Sequence, residues 1–337
     1  MKKAASLSDR VRFWADISFR MLRLRTVMVM LTFEAIGYET VHATGKISLD
    51  FVLVATMLAT LYMSATCFND VADEEVDKVN LANDHSRPLM TTSATPAQLK
   101  RLGVCAIVTA FVAAALASPG QVLFVVIGVM LSVFYSLPPL KLSHRGILAS
   151  LWLPLSYVGL SFFAGAFAAG MPNKLSYQVA VTMYVCFVGR ILLKDFRDYE
   201  GDKKFGKRNF LVRHGPQKTC LAAAVAWLIG DALFAVMFER KYVVLTILMQ
   251  PIILGILYTL KVLATEKSRP RLLLEVLFIG RLGNAVAVGL LAALTLEAYD
   301  YSGVIKNGIT AAVVIFISLS AVGLLKDEAL RSELGGK

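Results

Sequence analysis

The chain has 337 residues, 57% of them hydrophobic and only 18% charged, with a mean hydropathy of +0.64, a composition that excludes an ordinary soluble globular protein. Its net charge of +11 has a membrane explanation rather than a nucleic-acid one, because basic residues crowd the inner loops of membrane proteins. Four scattered cysteines, Cys67, Cys105, Cys186 and Cys220, contain no C-x-x-C pair and exclude a disulfide or thiolate-metal framework.

Residues 1–25 form a basic, partly amphipathic lead in which Arg12, Arg20, Arg23 and Arg25 interleave with Phe13, Trp14, Ile17 and Phe19. That pattern suits a helix lying at a membrane interface on the cytoplasmic side. Apolar stretches then recur to the end of the chain. Spans are expected near 26–44, 49–68, 102–117, 122–137, 147–170, 177–193, 220–238, 243–260, 272–296 and 309–325. The fold class is therefore all-α: a polytopic membrane bundle of nine to ten helices, one intramembrane domain over 26–325, and a cytoplasmic tail over 326–337. With the N-terminus inside, the inner segments hold 28 of the 35 Lys and Arg and the outer loops hold 5, while Arg190 and Arg281 fall within spans. Both termini are thus expected in the cytoplasm.

The first span carries Glu34 and Glu39, the seventh Asp231, and the ninth Glu275, Arg281 and Asn284. Such groups are costly at membrane depth and should face the interior or a partner. After the second span comes Asn69-Asp70-Val-Ala-Asp73-Glu-Glu-Val-Asp77, followed by Lys78 and Arg87; after the sixth comes Lys194-Asp195-Phe-Arg197-Asp198-Tyr-Glu-Gly-Asp202. Both read D-x-x-D-x-x-x-D, so one continuous helix would stack each set of carboxylates on one face. Like charges so placed call for cations, and hard oxygen ligands suit Mg²⁺, which substrate phosphates normally complete. The two units lie four spans apart and enter the membrane with the same orientation. They suggest pseudo-repeated halves around a central cavity, with both clusters at its cytoplasmic rim. Between them, Tyr135-Ser-Leu-Pro-Pro-Leu-Lys141 ends the fourth span and holds Tyr135 and Lys141 near the same rim.

Taken together and in this order, with Arg87-Pro-Leu and Gly206-Lys-Arg, these runs resemble the UbiA superfamily of intramembrane prenyltransferases from the first span to at least residue 215. The resemblance implies Mg²⁺ dependence, with Mn²⁺ as an alternative ion, and transfer of a prenyl chain from a polyprenyl diphosphate to an aromatic or other lipophilic acceptor. It places metal ligands at Asn69, Asp73, Asp77, Asp198 and Asp202. The expected diphosphate contacts are Arg23, Lys78, Arg87, Lys141, Lys194 and Arg197. Asp70 and Asp195 are the candidates to take the acceptor's proton, grouped with Tyr135 at the reacting end. The Met-Thr-Thr-Ser-Ala-Thr-Pro loop after Arg87-Pro-Leu departs from the family's short Ser/Gly turn and marks a place where acceptor choice can differ. The competing functions are a terpene cyclase on the same scaffold and, less favoured, a secondary transporter, whose polar site belongs near the midplane rather than at span ends. The bilayer is the expected partner, in the plasma membrane of a prokaryote.

Overall fold

The computed structural model describes residues 7–42, 45–80, 84, 86–238 and 242–325. Every regular element among them is helical. The tail expected over 326–337 lies outside the described residues.

The amphipathic lead forms α1 (Leu7–Leu22), which buries Ile17 and Met21 against Met63, Cys67 and Leu102 rather than lying free of the bundle. The first two spans are α2 (Leu24–Val41) and α3 (Leu49–Ala72); Ser48 caps α3 by accepting from Phe51 N. After the short α4 (Glu74–Asn80), α5 (Pro96–Ala117) starts at a capping box between Thr95 and Gln98, and α6 (Pro119–Ser136) follows. The fifth span is α7 (Ile147–Pro154) and α8 (Ser161–Ala169), joined by a π-helical turn over Leu155–Leu160. Pro154 lacks the N–H that would continue a regular ladder, which accounts for the bulge beside it.

Asn173 and Ser176 cap α9 (Lys174–Ile191) reciprocally. Then come α10 (Tyr199–Lys204), α11 (Phe210–Met237), α12 (Val243–Leu263), α13 (Arg269–Leu296) and α14 (Gly303–Leu325). Gly215, with φ 78 before Pro216, kinks α11 and lets its first turn point back toward the acidic loop.

All ten expected spans fall on helices, and eight of these helices are long and apolar enough to cross a membrane. The other two, α2 and α9, carry Arg25, Glu34 and Glu39, and Lys174 and Arg190. Both pack inside the bundle, α2 on α8 and α9 on α11. At the α2–α8 crossing a Cβ on Gly37 would lie 2.0 Å from Phe162 O, and one on Gly165 would lie 2.1 Å from Glu34 O. The backbones touch there, as small residues allow in membrane bundles. Large apolar side chains such as Leu116, Val236, Leu254 and Phe316 are exposed on the outer surface. Only a lipid solvent makes that arrangement inexpensive. The protein is an integral, multi-pass membrane protein.

Among the charged residues inside spans, Asp231 accepts from Gln250 Nε2 at 3.0 Å, Glu275 pairs with Arg271 at 3.5 Å, and Arg281 donates to Ser320 O at 3.2 Å. Both carboxyl oxygens of Glu34 are buried without a hydrogen-bond partner.

Candidate active site

The expected single ladder of acids does not form. In the first cluster α3 ends at Ala72, Asp73 takes φ −104 and ψ 13, and α4 restarts at Glu74. Acids at Glu74, Glu75 and Asp77 favour a new helix N-terminus, whose partial positive charge they complement. The chain stays close to helical across the break, with Asp73 N bonded to Asn69 O at 2.9 Å and Asp77 N to Asp73 O at 2.8 Å. Asp70 and Asp77 therefore point from two helices toward one guanidinium. Arg87 Nη1 donates to Asp70 Oδ1 at 2.6 Å and to Asp77 Oδ2 at 2.5 Å. Arg23, left-handed between α1 and α2 at φ 45, also ion-pairs with Asp70 Oδ1. Arg23 and Arg87, expected on the diphosphate, thus hold carboxylates here, and Asp70, expected as a base, has Oδ1 occupied twice. Ser136 Oγ reaches Asn69 Oδ1 at 3.1 Å.

The second cluster is broken in the same way. Asp195 lies in a 3₁₀ turn over Lys194–Phe196, Asp198 precedes α10 as its N-cap residue, and Asp202 lies within α10. Each acid has a nearby base. Lys194 Nζ donates to Asp195 Oδ1 at 2.6 Å, Arg197 Nε to Asp198 Oδ1 at 2.9 Å, and Lys207 Nζ to Asp202 Oδ1 at 3.3 Å. Asn209, which motif reasoning missed, donates from Nδ2 to Asp202 Oδ2 at 2.7 Å. Its Oδ1 meanwhile accepts from Val212 N at 2.8 Å and caps α11. An Asn just before an apolar run signals a cap; its second bond to a carboxylate has no sequence signature.

The clusters meet because α4 packs against α10. Burial pushes the Asp77 carboxyl up to about 6, with Arg87 opposing and Asp70, Asp73 and the facing Asp198 adding to the rise. Burial likewise raises Asp202 to about 6, against Lys207 and with Asp195 and Asp198. Burial would raise Asp198 too, but Arg197 and Lys194 overcome it and hold this acid below the usual range. Lys207 feels Asp202, Tyr135 and Asp73 together.

The middle motif joins the same field. Tyr135 lies under Lys194, whose Nζ is 5.9 Å from the ring centroid. Lys141, left-handed at φ 39, begins a 3₁₀ turn ending at His144. His144, a further residue the motifs did not single out, is held below its ordinary pKa by burial and then by Lys141 and Lys207, with Asp73 opposing. Lys78 is not brought in: it is exposed and pairs with Glu74 at 3.2 Å and Glu75 at 2.6 Å on its own helix.

The donor set fits a hard divalent cation. Its atoms are all oxygen, Asp73 is half-buried with no side-chain partner among the described residues, and the negative charge of Asp198 acts on Asp77 across the α4–α10 contact. Among the described residues no three acids already form a metal cage. The bases stand where ions and phosphates would neutralise the charge.

An aromatic strip leads from this rim into the core. Tyr62 and Tyr157 have ring centroids 6.0 Å apart, Tyr157 and Phe187 5.7 Å, and Phe187 and Phe33 5.5 Å. Phe33 and Phe187 also line a cavity of about 250 Å³ among α2, α9, α11 and α13.

The profile of the UbiA prenyltransferase family matches residues 31–282, from mid-α2 to the middle of α13. The chain belongs to that family. Its UbiA relatives include the bacteriochlorophyll synthase 34 kDa chain of Chloroflexus aurantiacus, 25% identical over 205 residues, which make up 60% of this chain and 62% of that protein. The match thus spans less than two thirds of that relative. A digeranylgeranylglyceryl phosphate synthase from Methanoculleus marisnigri is 26% identical over 215 residues, 61% of this chain and 74% of that one. In fold, the chain matches a UbiA homologue from Archaeoglobus fulgidus, solved bound to GPP and Mg²⁺, with a TM-score of 0.57 at 17% identity over 92% of this chain and all of that one. An apo UbiA homologue from Aeropyrum pernix K1 gives 0.59 at 19% identity, over 81% and 97% of the two chains.

Proposed function

We propose that this UbiA-family protein transfers a prenyl chain from a polyprenyl diphosphate to a lipophilic, aromatic-type acceptor within the membrane. The observation that carries this reading is the meeting of two acidic clusters across α4 and α10, with bases paired to Asp70, Asp77, Asp195, Asp198 and Asp202, at the head of an aromatic strip. Asn69, Asp73, Asp77, Asp198 and Asp202 would hold Mg²⁺, or Mn²⁺ in its place. An ion held there would supply positive charge against that developing on the departing diphosphate.

The chain's own cations share that work. Lys141, Lys194, Arg197 and Lys207 stand at the rim, where charge-assisted bonds to phosphate oxygens would replace the bonds that Lys194, Arg197 and Lys207 make to carboxylates. Arg23 and Arg87 keep Asp70 and Asp77 oriented while this exchange occurs. As the allylic C–O bond breaks, its electron pair leaves with the diphosphate and the prenyl carbon becomes cationic. The faces of Tyr62, Tyr157 and Phe187 stabilise that cation and exclude water. The acceptor then supplies the electron pair for the new bond and gives up a proton, for which Asp195, beside Lys194, and Tyr135 are the nearest candidates.

In this reading residues 26–325 are the catalytic domain in the plasma membrane of a prokaryote, and the Lys and Arg asymmetry supports a cytoplasmic side for both clusters and both termini. The second reading, cyclisation on the same scaffold, begins with the same ionisation and so shares every acid. Labelled geranyl, farnesyl and geranylgeranyl diphosphates, each given with and without membrane-extract acceptors, separate the two. Acceptor-dependent, Mg²⁺-dependent prenyl products support transfer; one cyclic hydrocarbon or alcohol formed regardless of acceptor overturns it.

A further inference from the structure

The basic residues around the rim fall into two sets. Lys194, Arg197 and Lys207 are paired with the acids already described. Arg145, Arg208 and Arg213 are exposed on the outside of the same loops, and none of them makes an ion pair among the described residues. Two of the three are nonetheless held in place. Arg145 Nε donates to Leu140 O at 2.6 Å and its Nη2 to Pro139 O at 3.2 Å, while Arg213 Nε donates to Arg208 O at 2.9 Å. Arg213 lies over Gly146, where a Cβ would stand 3.4 Å from its Cδ and 3.5 Å from its Nε. Gly146 N in turn donates to Arg208 O at 2.9 Å, and Gly146 pairs with Asn209 as an isolated parallel bridge. Each guanidinium has five N–H groups, so both tethered side chains keep donors to spare.

Next to these arginines along α6 and α7 the surface turns apolar. Met130, Phe134 and Leu137 on α6 and Leu148 and Leu151 on α7 are exposed. Trp152 is half-buried among them, its ring 6.2 Å from that of Phe134 and its Nε1 donating to Leu131 O at 2.9 Å. Orientation in the membrane needs only basic residues on this side; it does not need guanidinia tethered to main-chain carbonyls at the head of an apolar strip. Like charges gathered without an acid repel, and an anion relieves them. We propose that Arg145, Arg208 and Arg213 bind the phosphate headgroup of an acidic phospholipid whose acyl chains lie along the α6–α7 strip. The site shares its backbone with the second acidic cluster, because Arg208 precedes Asn209, whose Nδ2 holds Asp202. A lipid that neutralises the three guanidinia therefore steadies the crossing at Gly146 and, through Asn209, the position of Asp202. That coupling rests on the metal-diphosphate reading of Asp202; the lipid site does not.

The test uses the full chain with Trp14→Phe in phosphatidylcholine nanodiscs, which leaves Trp152 as the lipid-facing indole because Trp227 is only 2% exposed. A small fraction of the lipid is replaced by chain-brominated phosphatidylglycerol or, in parallel, by chain-brominated phosphatidylcholine, and fluorescence is read without metal or prenyl diphosphate. Quenching by the brominated phosphatidylglycerol should exceed that by the brominated phosphatidylcholine at least about twofold, and the excess should shrink in high salt. Arg145→Gln combined with Arg213→Gln should abolish the excess. Those changes also cut bonds to carbonyls, so Arg208→Gln is the second probe. The Arg208 side chain makes no hydrogen bond among the described residues; its variant should keep the parental thermal midpoint in phosphatidylcholine and lose about half of the excess or more. Equal quenching by the two lipids, or an undiminished excess in both variants, overturns the site. Turnover against Mg²⁺ reads the coupling. Phosphatidylglycerol should lower the half-maximal Mg²⁺ concentration at least about threefold more in the parent than in the Arg145→Gln, Arg213→Gln protein, a comparison that cancels the general attraction of Mg²⁺ to an acidic surface. Selective quenching without that difference leaves the lipid site standing and removes its link to Asp202; absence of any turnover counts against the transferase reading alone.

Discussion

At the scale of single residues, Asp73 differs from its neighbours in having no side-chain partner among the described residues to displace. Asp198 and Asp202 complete the facing set but are already paired. Alanine at any of the three should lower single-turnover prenyl transfer about 100-fold or more at saturating Mg²⁺, the scale of losing one preorganised electrostatic contact. Near-parental turnover in all three variants would remove the metal-diphosphate site. The raised pKa values of Asp77 and Asp202, each about 6 against 3.8, fix a sign for stability. A carboxyl raised in the native state holds its proton there more tightly than when unfolded. Its contribution is complete below about pH 4 and is lost as pH rises through 6. Ion-free protein should therefore melt at lower temperature at pH 7.5 than at pH 5, and added Mg²⁺ should raise the midpoint more at pH 7.5. Thermal melts at both pH values, with and without Mg²⁺, check this; an equal Mg²⁺ shift at the two contradicts it.

At the scale of elements, the α10–α11 junction couples helix capping to the site through Asn209. Asn209→Ala should lose about 1 kcal/mol of cap and raise the Mg²⁺ concentration for half-maximal activity roughly tenfold, as losing a ligand's supporting partner does. Asn209→Ser keeps a capping oxygen but falls short of Asp202. It should therefore keep the parental melting temperature and still show the raised Mg²⁺ requirement; parental Mg²⁺ dependence in the serine variant would reduce Asn209 to a cap. The α2–α8 crossing is the other sensitive junction. A Cβ at Gly165 would meet Glu34 O at 2.1 Å, so Gly165→Val must push the helices apart, at a cost on the order of 1–3 kcal/mol. Melting of the purified variant reads that directly, and an unchanged midpoint would mean the crossing yields freely.

At the scale of the whole molecule, topology is the testable quantity. Of 35 Lys and Arg, 28 fall on the side expected to be cytoplasmic, which is the side of both acidic loops. A cysteine at the exposed Lys204, in a background without the exposed Cys105, should react with impermeant maleimide only when inverted vesicles present the inner face. Labelling from the outside of sealed, right-side-out vesicles reverses the orientation. Of the candidate groups, α1 is the one whose place in the whole changed most. Arg20 ties it to Thr91 and Ser93 at 2.8 Å each, so the atypical loop after Arg87-Pro-Leu is held by the N-terminal helix. A lead that composition marks as a membrane anchor is also a brace for the first cluster.

Helix positions, the membrane class and the identities of the acids were legible in the sequence, because each follows from local quantities: apolar run length, Pro and Gly breaks, and a repeated D-x-x-D-x-x-x-D spacing. The ten expected spans coincide with helices to within about one to two turns, except that α11 begins ten residues early, where the kink at Gly215 lets added turns form. What the tertiary structure decided was pairing. Asp70 and Asp77 share Arg87 only because the chain breaks at Asp73 and returns 10 residues later. Asp202 is held by Asn209, Lys78 turns away to Glu74 and Glu75, and Arg190 meets Asn284 across 94 positions of sequence. Spacing along one helix says which side chains share a face, but a charge in a low-dielectric bundle is settled by whichever partner the packing brings within about 3 Å, and that distance belongs to the fold.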